Sequence, residues 1–422
     1  MYAKRFKIKN KSNMYIILME YLPQGYILKN GVKPLHGFKY DHPLDGHGFI
    51  NRIKVSPRGF EYKGIRQKTY HYKKEKNANR ILFRGLGTNA DNNLFLNNFS
   101  NVSLLNYEND KILSLGEGGI PYEIDVDTGE TLGSMKIGNI PQYLMERLPY
   151  IPISPHPKKH KGDIYNLSCF NYGLNIIINN VIVHTELFPF GKSFYFHDFK
   201  ITDNWFVIFL NSIDLNLYDA YFTDKTIFES INFNDGNAIL LIDKSSFQSK
   251  YIKLKPEHDM STLHIAHALE HHRDKIDIYA SLSQNLELAS VKSPYDFNGY
   301  FLHKITVNLT TVTEDYTCYK LTEIEGEMPI VVNNRIFLIN KHTLFYYDII
   351  KDDVKSVHID DAILEEPCVC DEIMYLIGHM KNKTKIICIN IVTFEIIYEH
   401  IFEFNIPYGY HGLFLQREFS SE

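Results

Sequence analysis

Four histidines that are far apart along the chain each lie in a setting that would hold an imidazole in place. They are His156, His197, His264 and His411. Two prolines flank His156 and restrict its backbone, and His197 stands at the start of the β-prone run 199–209. One such histidine is usually a core or turn residue. Four neutral imidazoles that converge on one point would instead form a metal site.

Three glutamates next to apolar strand sequences could serve as partners for these imidazoles. They are Glu117, Glu327 and Glu366. Two glycines follow Glu117, so its immediate neighbours do not shield the carboxylate, which would either face solvent in a turn or orient an imidazole N–H. A carboxylate that accepts the second ring N–H of a ligand histidine fixes its tautomer. Prolines follow closely behind Glu327 and Glu366.

Other motifs give weaker indications of a catalytic or binding site. The histidine-rich stretch 263–272 lacks the H-E-x-x-H pattern of a zinc-binding helix, and strand-like sequence follows it. The residues after Gly85-Leu86-Gly87 are also strand-like, which argues against a phosphate-binding loop. We expect the lysine clusters 73–76 and 158–161 to be solvated loops.

The elements that must position these residues are strands. Short segments rich in Ile, Val, Phe, Tyr and Thr recur along the chain and are separated by short polar segments, whereas helical periodicity is scarce. Many short strands indicate a sandwich, barrel or propeller, and the length of 422 residues favours an all-β propeller. There is no strict internal repeat and no linker, so we predict one domain over residues 1–422.

Composition excludes several classes. The net charge of −5 with interspersed signs argues against a nucleic-acid partner. The five scattered cysteines suit a reducing, cytoplasmic compartment, and Cys368 and Cys370 are interpreted as strand residues on one face. The basic N-terminal segment 1–12 lacks the apolar run of a signal peptide, and no stretch is apolar enough for a membrane span. Peripheral contact with a membrane stays open, and no obligate protein partner is indicated.

In combination, several motifs make the chain resemble a known family from Leu22 to Gly412. They are Glu117–Pro121, His156–Lys158 with Gly162–Asn166, His197–Phe199 with Ile201–Thr202, and Tyr410–Gly412. The chain resembles the carotenoid cleavage oxygenases, which include lignostilbene dioxygenases and the retinal pigment epithelium isomerase. The resemblance implies a seven-bladed β-propeller with an axial metal site and with loops or short helices over one face. A blade would then hold about 60 residues, enough for four or five strands.

The same resemblance implies the site. One Fe(II) would be held by His156, His197, His264 and His411, while Glu117, Glu327 and Glu366 would support His197, His264 and His411 respectively. The reaction would add O2 across a conjugated C=C bond of a carotenoid or apocarotenoid and give two carbonyl products, without an organic cofactor. Four neutral ligands keep coordination positions vacant for O2. The substrate would be small, apolar and conjugated.

Three departures from the family pattern bear on these expectations. His267 replaces an asparagine three residues after His264 and competes with it as a candidate ligand. His47 replaces an aspartate, which we expect to affect a surface turn more than the chemistry. Asn97 stands where lignostilbene cleavers have a phenol-binding lysine, which favours a polyene. The alternatives are a stilbene-cleaving dioxygenase, a non-oxidative isomerase, and a metal-free binding scaffold in which the four histidines would be dispersed.

Overall fold

The structure is a computed structural model whose strands form seven sheets and one small strand pair. It describes residues 19–419 except for positions 20, 36, 91, 109, 139–152, 171, 190, 273, 285, 287, 294–297 and 311–314. The basic segment 1–12 lies outside the described residues.

The seven sheets are the blades of a β-propeller, numbered here in chain order. Blade 1 contains β1 (Gly25–Val32), β2 (Gly48–Ser56) and β3 (Gly59–Arg66). A parallel pair follows, β4 (Phe83–Arg84) and β5 (Asn92–Leu96). Blade 2 contains β6 (Ser103–Glu108), β7 (Lys111–Leu115), β8 (Tyr122–Asp125) and β9 (Thr131–Ser134). Blade 3 contains β10 (Lys158–His160), β11 (Asp163–Phe170), β12 (Gly173–Ile178) and β13 (Val181–Leu187).

Blade 4 has additional short strands: β14 (Phe194–Tyr195), β15 (Phe199–Ile201), β16 (Trp205–Leu215), β17 (Ile231–Phe233), β18 (Ala238–Asp243) and β19 (Ser249–Lys253). Blade 5 contains β20 (Ser261–His271), β21 (Lys275–Ser283), β22 (Phe301–Asn308) and β23 (Tyr316–Glu325). Blade 6 contains β24 (Glu327–Val332), β25 (Arg335–Asn340), β26 (Thr343–Asp348) and β27 (Asp353–His358). Blade 7 contains β28 (Ile363–Leu364), β29 (Cys368–Cys370), β30 (Ile373–His379), β31 (Thr384–Asn390) and β32 (Glu395–Phe402).

The last strand, β33 (Gly409–Gln416), closes the ring. It pairs with β1 in antiparallel register, with Gln416 opposite Gly25 and Gly412 opposite Lys29. Blade 1 is therefore built from both ends of the described chain. Closure of this kind removes the open edges that a row of separate sheets would expose.

Apolar side chains hold neighbouring blades together. A cluster of buried apolar residues lies at each of the contacts between successive blades. Strands in the middle of a blade are covered on both faces, so they have continuous apolar runs rather than strict alternation, as in Phe206–Leu210. This packing explains why the strand pattern was readable from composition and β-propensity, and it confirms the predicted all-β propeller.

Tight hairpins within the blades depend on asparagine. Asn179 and Asn180 join β12 to β13, and Asn333 and Asn334 join β24 to β25. All four have positive φ angles, between 46° and 70°. A two-residue type I′ turn requires positive φ at both central positions, which asparagine tolerates better than most residues.

The lysine cluster 73–76 does not form the predicted solvated loop. It belongs to helix α1 (Tyr70–Ala78), which Thr69 caps by accepting from the backbone N–H of Tyr72 and which ends at Asn79 in the left-handed region. Within the helix, Glu75 is fully buried. The second cluster is also partly structured, because Lys158 begins β10.

Further helical elements are short. They include α2 (Leu217–Phe222) and the single 3₁₀ turns Phe228–Ser230, Pro256–His258 and Leu288–Ser290. Across the part of the chain that the structure describes, no helix is long and apolar enough to cross a membrane. All five cysteines are free thiols, and Cys368 and Cys370 lie on β29 as interpreted from the sequence.

Candidate metal centre

Each of the seven blades contributes one of the seven predicted site residues. Four blades supply a histidine: His411 from blade 1, His156 from blade 3, His197 from blade 4 and His264 from blade 5. The three blades between and beside them supply a glutamate: Glu117 from blade 2, Glu327 from blade 6 and Glu366 from blade 7. Residues that are remote in sequence therefore meet where the blades converge.

The four histidine rings face one another through their Nε2 atoms. The Nε2 atoms of His156 and His197 are 2.9 Å apart, and those of His264 and His411 are 3.2 Å apart. One nitrogen from each of the four rings lies within 4.8 Å of the others. Among the described residues, His267 is not part of this group, and it follows His264 on the same strand.

Three of the rings are held from behind by a carboxylate at Nδ1. Glu117 Oε2 lies 2.8 Å from His197, Glu327 Oε2 lies 2.8 Å from His264, and Glu366 Oε1 lies 2.9 Å from His411. These are the three pairings that the sequence resemblance implied. Because an ionised carboxylate can only accept, each Nδ1 carries the hydrogen and each Nε2 keeps a lone pair that faces the centre.

Local irregularities in the strands aim several of these side chains. The pairing of β20 with β21 shifts between Thr262 and Ile265, around His264. A second shift follows Glu327 in β24, where Met328 has a φ of 55° and donates its backbone N–H to the Glu327 carboxylate. A third lies where β1 passes Tyr410 and His411 of β33. An extra residue in one strand turns a side chain out of the regular alternation.

His156 is positioned by its backbone instead. It lies between Pro155 and Pro157, and its N–H donates to Ser154 Oγ at 3.2 Å. The Ser154 hydroxyl in turn donates to the backbone carbonyl of His197 at 2.8 Å. Two histidine segments from neighbouring blades are thus fastened to each other independently of any metal.

A buried charge cluster adjoins the same two histidine segments. Asp198 is almost fully buried, and its carboxylate contacts Lys158 Nζ at 2.6 Å and Lys200 Nζ at 3.3 Å. Burial lowers the pKa of Lys158 to about 8, with Lys200 adding to the decrease against the opposing carboxylate. Although burial would raise it, the two lysines hold the pKa of Asp198 well below its usual range.

Burial also keeps two of the imidazoles neutral. It lowers the pKa of His411 to about 4, and it lowers the pKa of His156 far below the usual value, with the neighbouring histidines adding to the effect. For His264 burial acts in the same direction, but the Glu327 carboxylate outweighs it and raises the pKa. Neutral imidazole is the form that binds a metal, and a metal competes with the proton for the lone pair.

The geometry and chemistry of the four nitrogens fit one transition-metal ion. With nitrogen–metal distances of about 2.1 Å, adjacent ligand atoms lie about 3 Å apart and opposite ones about 4 Å apart. The Nε2 separations of 2.9 and 3.2 Å match the adjacent case. An all-imidazole set suits iron, copper, nickel or zinc rather than magnesium or calcium.

A largely apolar cavity opens onto the centre, and His197, His264 and His411 form part of its wall. The apolar residues of the wall are Leu44, Leu86, Leu96, Phe99, Val102, Phe228, Leu263, Leu288 and Met328. Besides the three histidines, the other wall residues are Asp45, Asn97, Asn101, Glu117, Tyr195 and Tyr410. A cavity with such a wall suits an apolar small molecule with few polar groups.

Sequence reasoning missed two residues that contact the supporting glutamates. The Tyr195 hydroxyl donates to Glu117 Oε1 at 3.2 Å, and Lys29 Nζ lies 3.8 Å from Glu366 Oε2 while donating to the carbonyls of Glu366 and Tyr410. Two signals could have found them. Tyr195 precedes His197 by two positions and so shares its side of an extended chain, and Lys29 stands with Asn30 in the middle of a strand that begins with apolar residues.

Comparison with known proteins gives a consistent picture. The family model described as RPE65, retinal pigment epithelial membrane protein, matches residues 20–366. The apocarotenoid-15,15'-oxygenase of Synechocystis sp. is 26% identical over 258 residues, covering 54% of this chain and 49% of that protein. Resveratrol cleavage oxygenase 1 of Botryotinia fuckeliana is 28% identical over 191 residues, covering 42% and 33%. The chain spans about half the length of the first of these relatives and a third of the second.

Solved structures share the fold. A crystal structure of an ACO/RPE65 chimera superimposes with a TM-score of 0.79 at 19% sequence identity, over 94% of this chain and 93% of the other. At that level of identity, the likeness concerns the arrangement of the blades.

Proposed function

Since the chain belongs to the family of the retinal pigment epithelial membrane protein, we propose that it is a non-haem Fe(II) dioxygenase acting on a carotenoid or apocarotenoid. The reaction cleaves one conjugated C=C bond with O2. One oxygen atom enters each of the two carbonyl products, so no external reductant is consumed.

One observation carries this proposal: four imidazole nitrogens face one another, and three of the four rings form part of the wall of an apolar cavity. The metal ligands in the proposal are His156, His197, His264 and His411. The Synechocystis relative is named an apocarotenoid oxygenase, which supports the substrate class. A neutral ligand set and an apolar approach together suit the binding of O2 beside a hydrocarbon substrate.

Iron, when bound, would supply the site for O2 and the redox chemistry that the side chains cannot provide. The chain's own groups have separate tasks. Glu117, Glu327 and Glu366 accept hydrogen bonds from the Nδ1–H groups, so the Nε2 lone pairs stay directed at one point. The leucine and phenylalanine wall orients a flat conjugated chain and excludes water from the reacting bond.

The test is product analysis under ¹⁸O₂. Iron-loaded protein is incubated separately with apocarotenals and with a hydroxystilbene, and the aldehydes are identified by mass spectrometry. We expect polyene cleavage with one ¹⁸O atom in each product. Iron-bound protein that yields no aldehyde from any of these compounds would contradict the proposal.

A stilbene is the second candidate substrate, because the Botryotinia relative is named a resveratrol cleavage oxygenase. In the same experiment, aldehydes from the hydroxystilbene alone would select it. Geometric isomers of the polyene without ¹⁸O would select the isomerase alternative. The metal-free scaffold alternative required dispersed histidines, whereas the structure brings them together.

A further inference from the structure

Of the four proposed ligands, His156 is supported differently from the others. A glutamate oxygen lies 2.8 to 2.9 Å from Nδ1 of each of the other three rings. His156 has no such partner among the described residues, yet its Nε2 lies 2.9 Å from that of His197. Another group must therefore hold these two rings in this arrangement.

The backbone around His156 is tied to the chain at His197 on both sides. Two residues before His156, Ser154 Oγ accepts the His156 N–H at 3.2 Å and donates to the carbonyl of His197 at 2.8 Å. Two residues after His156, Lys158 Nζ donates to Asp198 Oδ1 at 2.6 Å. Asp198 directly follows His197, so both contacts end on the same short segment of the next blade.

The stretch between these two contacts has little conformational freedom. Pro155 and Pro157 fix two of its φ angles, and a residue that precedes a proline is confined to extended backbone. Movement of the His156 ring away from its neighbour then requires the loss of a contact at one end. The contact made by Lys158 is the stronger of the two, because it joins opposite charges and only 3% of the carboxylate side chain is exposed.

We propose that Lys158 is a positioning residue of the metal centre. Its ion pair with Asp198 holds the His156 ring at the distance from the next blade's ligand that one metal ion requires. The inference rests on the proposed function, because it takes His156 as a ligand of the iron. Lys200 Nζ also contacts Asp198, at 3.3 Å, but these two residues are two positions apart on one segment, so their contact cannot hold two blades together.

The first experiment measures the iron affinity of the whole protein by competition with a chelator. Lys158→Met should lower this affinity about tenfold, the lower end of the effect of losing a group that supports a ligand. Lys200→Met removes a positive charge from beside the same carboxylate and should keep the affinity of the wild type. The titration requires no substrate, so an error in the proposed substrate class would leave its result unchanged.

A second contact between blades separates positioning from general stability. Glu270, at the end of β20 remote from His264, accepts from Thr202 Oγ1 at 2.8 Å and from Asn204 Nδ2 at 2.6 Å in blade 4. Glu270→Gln and Lys158→Met should both lower the denaturant midpoint of the iron-free protein. Only Lys158→Met should lower the iron affinity, whereas a merely structural role would lower it in both variants.

A spectroscopic measurement decides the question if Lys158→Met does not fold. Lys158→Arg keeps a cation beside the buried carboxylate, but its planar guanidinium contacts a carboxylate in a different geometry. The visible absorption bands of Co(II) depend on the arrangement of its ligands. In protein loaded with Co(II), Lys158→Arg should shift these bands, and Lys200→Arg should leave them as in the wild type.

Three results would overturn the inference alone. They are the iron affinity of the wild type in folded Lys158→Met, an equal loss of affinity in Lys158→Met and in either Lys200→Met or Glu270→Gln, and Co(II) bands in Lys158→Arg identical to those of the wild type. Wild-type protein that binds no iron would overturn the inference together with the proposed function. The expected pattern of iron affinities without aldehyde from any substrate would overturn the proposed function and support this inference.

Discussion

At the scale of single residues, the division of labour between histidine and glutamate is the main feature of the site. Each of three rings has its Nδ1 within 2.9 Å of a carboxylate oxygen, while the fourth, His156, depends on flanking prolines and Ser154. The centre thus combines rings oriented by charge with one oriented by backbone stiffness.

His264 and His267 give a direct test of the ligand assignment, because they lie on the same strand and only His264 belongs to the four-histidine group. We expect His264→Ala to abolish stoichiometric iron binding and His267→Ala to preserve it, as measured by metal analysis after reconstitution. Loss of iron in His267→Ala with retention in His264→Ala would reverse the assignment.

Two adjacent glutamates provide a similar comparison for the supporting carboxylates. Glu366 contacts His411, whereas Glu365 contacts His379 outside the centre at 2.6 Å. Glu366→Gln should lower iron affinity about 10–100-fold, since the glutamine cannot accept the ring N–H with the strength of a carboxylate. In a competition titration with a chelator, Glu365→Gln should keep the wild-type affinity. Equal losses of iron affinity in both variants would show that the effect is not specific to the carboxylate that contacts His411.

At the scale of elements, helix α1 contributes to the fold through the side chains that it buries rather than through its lysines. Its polar sequence suggested solvent, yet His71 and Glu75 are buried, and the His71 ring packs edge-on against Phe83 with centroids 4.3 Å apart. The helix thereby carries the Glu75 carboxylate that orients Asn97.

The burial of His71 predicts a pH dependence of stability. Burial lowers its pKa to about 4, although Glu75 opposes the change and His47 adds to it. Between pH 6.5 and 4 the unfolded chain binds a proton that the folded chain does not, so stability falls as the pH is lowered through this range. From pH 7 to pH 5 the loss should be roughly 2 kcal/mol.

Denaturant unfolding of His71→Leu at both pH values checks this prediction. The variant should lose about 2 kcal/mol less than wild type on acidification. His358→Leu is the control, because His358 lies on the surface of β27. A His71→Leu protein with the wild-type pH dependence would show that other groups cause the acid sensitivity.

At the scale of the whole molecule, the site depends on closure of the ring. The pairing of β33 with β1 places the His411 ring beside the histidine rings from blades 3, 4 and 5. Lys29 strengthens this junction, because its fully buried Nζ donates to the carbonyls of Glu366 in blade 7 and Tyr410 in blade 1, at 2.8 and 2.9 Å.

Lys29→Met should therefore weaken both the fold and the centre. The change leaves two buried carbonyls without their donor and the Glu366 carboxylate without its nearby cation, which should cost roughly 3 kcal/mol. Iron affinity should fall as well. Denaturant unfolding and metal titration check the two effects, with exposed Lys63→Met expected to stay within about 0.5 kcal/mol of wild type. If Lys29→Met had the stability of the wild type, Lys29 would not contribute to closure of the ring.

The sequence by itself determined the strand-rich architecture and the residue types of the centre. Strand propensity and turn residues act over a few positions, so their pattern is readable locally. The four histidines and three glutamates were recognisable because each stands in a short motif, and the family resemblance supplied their pairing.

Only the tertiary structure decided which atoms meet. The place of His264 rather than His267 in the histidine group accompanies a shift in strand register, and the burial of Glu75 depends on what α1 packs against. These outcomes arise from contacts between residues tens to hundreds of positions apart. Local periodicity carries no information about such contacts, because closure of the blades creates them.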